Sequence, residues 1–177
     1  MSSMFSAITS RDHKLMRRIN RWAAPQWIRL WMIWATRLGD GWLWSMMALV
    51  ILLFGGADRF AAIAAAGMAS ASGTLLFMAI KRICGRERPC ATEPHCWARL
   101  LPPDQFSFPS GHSINAFAIT TPLILFYPAL TLGLLFCAAS VALSRILLGL
   151  HFLSDVIAGC VIGMLIGYGA YLLVLTS

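Results

Sequence analysis

The chain has 177 residues, 59% of them hydrophobic and only 12% charged, with a mean hydropathy of +0.73. An average soluble domain carries about 25% charged residues, so a water-soluble globule, a disordered chain, a collagen and a disulfide-stapled mini-fold are excluded, leaving a one-domain integral membrane protein. The formal net charge of +7 is unevenly placed: in residues 101–177 only Asp104, Arg145 and Asp155 are formally charged, and each survivor in so apolar a stretch needs a reason.

The first 40 residues are amphipathic. Arg11, Lys14, Arg18 and Arg21 recur at helical spacing opposite Leu15, Met16, Ile19 and Trp22. Pro25 interrupts the pattern. Gln26, Arg29, Thr36, Arg37 and Asp40 then form a polar stripe beside Trp27, Leu30, Trp31, Trp34 and Leu38. Basic residues and tryptophan in this arrangement predict interfacial helices lying on the bilayer. Six of the seven tryptophans fall in residues 22–44, where an interfacial belt needs them. The sharper alternative is a gate beside a lipid-binding site. A further span here is opposed by Arg29 and Arg37. No cleavable secretory signal is expected, because the N-terminus is charged and lacks an early apolar core.

A membrane helix needs about 20 mostly apolar residues, and five segments meet or approach this: about 41–56, 60–80, 111–128, 129–149 and 152–174. The expected fold is an all-α membrane bundle of five spans, six if the N-terminal segment also crosses. The expected division is 1–40 as interfacial helices and 41–177 as the transmembrane core, with a polar active-site loop at 81–109. The second span carries Gly67, Ser70, Ser72 and Gly73 as small packing positions. The third contains Pro122, which neighbouring helices can accommodate. The fourth and fifth are joined so tightly near Gly149 that they are expected to be antiparallel neighbours.

Three clusters carry chemistry. Residues 81–89 read K-R-I-C-G-R-E-R-P at the exit of the second span. Lysine as a point charge and arginine as a planar fork suit a phosphate, although a basic flank that anchors a helix end by snorkelling has the same composition. Pro109, Ser110, Gly111 and His112 open the third span. A helix start offers free N–H groups and positive dipole density. Gly111 would let an oxyanion approach the backbone, Ser110 adds a hydroxyl and can cap, and His112 could give or take a proton. The plainer reading is a capped helix with an interfacial histidine. Finally, Ser144 and Arg145 end the fourth span, and His151 and Asp155 share one helix face at i and i+4 at the start of the fifth. Asp155 is expected to accept from one ring nitrogen of His151 and leave the other free. A structural His–Asp pair balancing Arg145 is the alternative. Alternating spans bring all three clusters to one membrane face, and cations, a backbone anion hole and two histidines describe phosphoryl transfer by positioning and electrostatics.

These motifs resemble the type 2 phosphatidic acid phosphatase superfamily, membrane lipid phosphatases related to vanadium haloperoxidases. The family pattern K-x6-RP, PSGH, SR-x5-H-x3-D is met at all eleven fixed positions across residues 81–155. The resemblance implies that His151 is a nucleophile forming a phosphohistidine, that Asp155 orients it, and that His112 is the general acid and then base. It implies that Lys81, Arg88 and Arg145 bind phosphoryl oxygens, with Ser110 and the Gly111 N–H completing the anion hole. No metal or other cofactor is implied; a metal site built from His112, His151 and Asp155 competes, but nearby cations would repel a divalent ion. Expected substrates are lipid phosphates with small heads, of the undecaprenyl diphosphate, phosphatidylglycerol phosphate or phosphatidic acid type, with lipid A phosphate a further option. A phosphotransferase would use the same residues, and a transporter or scaffold with a buried ionic cluster is the non-enzymatic alternative. The bilayer and a lipid phosphate are the expected partners, and a nucleic acid is not needed to explain a pI near 9.7. The family places such a site on the periplasmic face of the bacterial inner membrane, whereas the positive-inside count favours the cytoplasmic face. Among the cysteines, a Cys90–Cys96 or Cys84–Cys96 disulfide would suit an oxidising compartment, and Cys137 and Cys160 lie within spans.

Overall fold

The computed structural model describes residues 2–92 and 105–176. Its helices are α1 (Ser2–Arg21), α2 (Gln26–Gly39), α3 (Trp42–Phe54), α4 (Arg59–Cys84), the single turn α5 (Pro89–Thr92), α6 (Gly111–Phe126), α7 (Thr131–Leu147) and α8 (Leu153–Thr176). Among the described residues the only β pairing is one isolated bridge, Glu87 to Phe106. The fold is thus an all-α membrane bundle, as the sequence predicts.

The spans differ in detail from the five expected. The stretches Gly56–Cys84, Pro128–Leu147 and Leu153–Thr176 are each long and apolar enough to cross a membrane alone. The expected first span is α3, only 13 residues long, and it reaches membrane length only together with α2, at a bend of 64°. The bend falls at Asp40 and Gly41, whose φ of +141° a side-chain-bearing residue rarely adopts. So α2 and α3 are together long and apolar enough for one bent span, and α2 packs along α7. Helix α6 has 16 residues, about 24 Å at 1.5 Å per residue, short of the ~30 Å hydrocarbon core.

Helix α6 is nevertheless the centre of the bundle, packed against α8 most extensively and then against α4 and α7. The expected pairing of α7 with α8 is minor. The reason is a glycine stripe on α8. A Cβ on Gly159, Gly163 or Gly167 would stand 2.8, 2.4 or 2.7 Å from the carbonyl oxygens of Ser110, Ile114 and Ala118 on the α6 side. Only glycine lets two backbones approach this closely. The main core joins Trp44, Ile51, Ala62, Ile119, Leu123, Leu134 and Val141. A second cluster seats α1, with Met16 buried against Ala142, Ile146, Phe152 and Val156. Burying one such methionine contributes about 1.5–3 kcal/mol. Leu132, 85% exposed, and Phe54, 82% exposed, are the outward apolar surface a bilayer covers.

Candidate active site

Helix ends aim the functional side chains. Lys81 lies in the last turn of α4, which Gly85 closes in the left-handed region (φ +56°) with its N–H bonded to the Lys81 carbonyl at 3.3 Å. Ser110 caps α6: its Oγ accepts from the Ser113 N–H at 3.4 Å and from the Ser113 hydroxyl at 2.9 Å. Arg145 ends α7, and the turn after it folds back through Gly149 (φ +68°), so that the N–H groups of Leu150 and His151 both donate to the Arg145 carbonyl at 3.0 Å. Asp155 sits in the first turn of α8, and its carbonyl receives the Ser110 N–H at 3.2 Å. The loop between α4 and α6 is pinned by the Glu87–Phe106 bridge and by Ser107 N–H donating to the Arg86 carbonyl at 2.6 Å.

These ends converge on one cavity of about 160 Å³, lined by Lys81, Arg88, Arg145, Gly111, His112 and His151 together with Gly39, Asp40, Phe77 and Asn115. Its cations are buried, Arg88 at 2%, Arg145 at 4% and Lys81 at 8% exposure. Buried like charges favour an anion between them, and among the described residues Asp40 is the carboxylate that lines the cavity. Pockets for drug-sized ligands run to about 300–1,000 Å³; this one suits a phosphate group.

His151 is fully enclosed. Its Nδ1–H donates to the Ser107 carbonyl at 2.6 Å, and since a carbonyl can only accept, the tautomer is fixed and Nε2 keeps its lone pair. Nε2 lies 3.0 Å from Nη1 of Arg88, which also donates to the Leu150 carbonyl at 2.8 Å. Burial first, then Arg145, Arg88 and Lys81, holds the ring's pKa well below the usual histidine value, so the ring is a neutral base among cations. His112 donates from Nε2 to Asp40 Oδ1 at 2.5 Å.

Two expected placements differ. Asp155 is not the direct acceptor of His151: its Oδ2 is 3.9 Å from Nδ1. It instead accepts from the Ser107 hydroxyl and from the Phe152 N–H, the latter at 2.9 Å, so Ser107 stands between the two, with its hydroxyl on Asp155 and its carbonyl on His151. Ser110, fully buried, is the cap behind the wall and does not line the cavity. Gly111 does line the cavity, and a Cβ there would stand 3.2 Å from the Phe77 ring. The residues that sequence reasoning missed are Ser107, Arg86 and Asp12. Of the polar stripe, Thr36 turns inward, where Arg145 Nη1 donates to its buried hydroxyl, while Asp40 stays exposed at the edge of the cavity. A signal for Asp12 exists, since it lies one turn from Met16 on the apolar face of α1.

Among the described residues no three His, Cys, Asp or Glu side chains are placed to hold a metal ion. Cys84, Cys90, Cys137 and Cys160 are free thiols; Cys96, the partner in both expected pairings, and Asp104 lie outside the described residues.

A helical membrane bundle with a basic, two-histidine anion site at one end is the class this geometry defines. The sequence model of the PAP2 superfamily matches residues 59–177, and the chain belongs to that superfamily. It is 32% identical over 107 residues to a lipid A 1-phosphatase of Rhizobium johnstonii, 58% of this chain and 41% of that one. It is 38% identical over 89 residues to decaprenylphosphoryl-5-phosphoribose phosphatase of Mycobacterium tuberculosis, 50% of this chain and 48% of that one. Phosphatidylglycerophosphatase B of Bacillus subtilis is 37% identical over 82 residues, 40% of each chain. The chain thus spans less than half the length of these curated relatives. Among solved structures, a PAP2-type phosphatidylglycerolphosphate phosphatase from Bacillus subtilis superposes with TM-score 0.70 at 25% identity, covering 96% of this chain and 85% of that one. LpxE of Aquifex aeolicus superposes with TM-score 0.73 at 26% identity, covering 89% and 92%.

Proposed function

We propose that the protein is a membrane lipid phosphatase working through a phosphohistidine. The observation that carries this reading is the neutral, tautomer-fixed His151 with its Nε2 at a cavity walled by three buried cations. Nε2 attacks phosphorus while Lys81, Arg88 and Arg145 hold the non-bridging oxygens; the P–O bond to the lipid breaks, and His112 delivers a proton to the leaving oxygen. Asp40 accepts the Nε2–H of His112, so the ring donates from Nδ1 as the imidazolium, a form that the Asp40 carboxylate and the incoming phosphate anion both favour, and it returns to that form when it takes the water's proton. A water then attacks phosphorus and gives its proton to His112, the P–N bond breaks, and inorganic phosphate leaves with His151 restored.

A lipid substrate is supported by a second, apolar hollow of about 230 Å³ between α3, α4 and α6. It lies on the same helix faces as the catalytic cavity. On α4 the face runs from Lys81 and Phe77 to Ser70, Gly67 and Ile63, and on α6 from His112 and Asn115 to Ile119 and Leu123. A phosphate in the first cavity would lead its hydrocarbon tail toward the second. The favoured substrates are small-headed lipid phosphates and diphosphates, of the phosphatidylglycerol phosphate, phosphatidic acid or undecaprenyl diphosphate type, with the site on the periplasmic side of the inner membrane.

The test is phosphate release by the purified protein across a panel of these lipids and lipid A. Wild type should release free phosphate from at least one, and His151→Ala, correctly folded, should lose the rate by on the order of 10⁴-fold or more. Retained release in His151→Ala ends the mechanism, and phosphate appearing on a second lipid instead of in water makes the enzyme a transferase. The same assay on sealed right-side-out and inverted vesicles reports the side of the site.

A further inference from the structure

Asp12 is a buried carboxylate on a helix whose other charges, Arg11, Lys14, Arg17, Arg18 and Arg21, are exposed. It lies outside the residues that match the family and outside the three motifs, as Arg86 lies at an unspecified motif position. A buried carboxylate is stable only when paired and hydrogen-bonded. Asp12 accepts from the Ser154 hydroxyl at 2.5 Å, the Ser154 N–H at 3.3 Å and Arg86 Nη2 at 2.8 Å. The other arm of Arg86, Nη1, donates to Asp155 Oδ1 at 2.6 Å and to Ser154 Oγ at 2.7 Å, while the guanidinium lies 4.3 Å over the Phe152 ring. Asp155 takes the Ser107 hydroxyl, and the Ser107 carbonyl takes Nδ1–H of His151. An unbroken run of polar contacts therefore leads from α1 to the imidazole.

We propose that Asp12 is a positioning residue for His151, acting through Arg86 and Asp155, so that the docked N-terminal helix is a working part of the active site. This rests on reading His151 as the nucleophile. The guanidinium is a planar fork with two carboxylates on its two arms. Removing the Asp12 charge frees one arm, and Arg86 no longer fixes the rotamer of Asp155 that sets Ser107. Helix α1 keeps a second anchor in Met16 against Phe152 and Val156, so Asp12→Asn should stay docked.

The experiment compares two anions on the purified full chain. Orthovanadate takes a fifth bond from a ring nitrogen, whereas inorganic phosphate is held by the cations alone. Asp12→Asn and Arg86→Gln should each weaken vanadate binding by about tenfold, the usual scale for outer residues that orient a ligating histidine, and leave phosphate affinity unchanged. On a lipid phosphate, kcat should fall with KM unchanged. Asp12→Glu should restore much of both, and Asp12→Asn/Arg86→Gln should be no worse than Arg86→Gln alone, because the two residues act in series. Wild-type vanadate affinity in Asp12→Asn, or equal loss of both anions, overturns the proposal. Where Asp12→Asn does not fold, Arg86→Lys carries the same comparison, keeping the charge and losing the fork. Vanadate binding needs no turnover, so this failure is distinct from failure of the phosphatase reading, which shows as phosphate release that survives His151→Ala.

Discussion

At His151 the choice of hydrogen-bond partner sets the chemistry. A carboxylate on Nδ1 would stabilise an imidazolium; the Ser107 carbonyl fixes the ring without adding charge, and the surrounding cations oppose protonation. This has a thermodynamic sign. In the unfolded chain a histidine takes up a proton near its ordinary pKa of about 6.5; folded His151 does so only well below that. Between the two values the unfolded state binds more protons, so stability falls as pH drops below about 6.5, by up to about 1.4 kcal/mol per pH unit. Thermal midpoints in detergent should fall through this window in wild type and fall less in His151→Gln; parallel slopes would contradict the neutral assignment. The motif residues were legible before the fold because they cluster at helix ends, and helix ends are readable from apolar run lengths. Ser107, Thr36 and Asp40 were not, because each meets a partner distant in sequence: Thr36 meets Arg145 and Asp40 meets His112. Nothing local distinguishes such a residue from a solvated one.

Between elements, the α6–α8 contact decides where the motif residues meet. Ser110 and Asp155 are joined by one backbone hydrogen bond at 3.2 Å, which exists only because α8 presents Gly159, Gly163 and Gly167 to the α6 backbone. The sequence shows these glycines, but periodicity alone does not say which neighbour a small-residue stripe selects. The short α7–α8 turn pointed to the wrong partner for the same reason, and α3 looked like a span of its own because its apolar run approaches membrane length, whereas it reaches that length only with α2 across the bend. Gly163→Leu places a Cβ within 2.4 Å of the Ile114 carbonyl and should cost at least about 1–3 kcal/mol of stability, with loss of activity as Ser110 and Asp155 part. Gly169→Leu, on the same helix, meets nothing within 4 Å and should leave both properties at the wild-type level. Thermal unfolding and phosphate release on the pair check this; similar behaviour of the two variants would show that the stripe does not set the packing.

Across the whole molecule, charge and oil are separated along one line. The cavity at the bundle end holds buried cations, and the hollow below it is walled by Ala48, Ala66, Gly67, Ile119 and Leu123. The scarcity of charge in the C-terminal half follows from this division, since Arg145 and Asp155 are spent at the site and apolar surface serves elsewhere. A phosphate head and an apolar tail can then be read by different residues, which makes the two contributions separable. Gly67 lines the hollow, and a Cβ there meets nothing within 4 Å. Gly67→Leu therefore starts its side chain in open space and should occupy the hollow, and leucine also suits a helix interior better than glycine by about 1 kcal/mol. If the tail lies there, kcat/KM for a long-chain lipid phosphate should drop about tenfold, equal to about 1.4 kcal/mol. Hydrolysis of a small aryl phosphate, which has no tail to displace, should be unchanged. Equal effects on the two substrates would move the tail to another face of the bundle while leaving the chemistry at His151 intact.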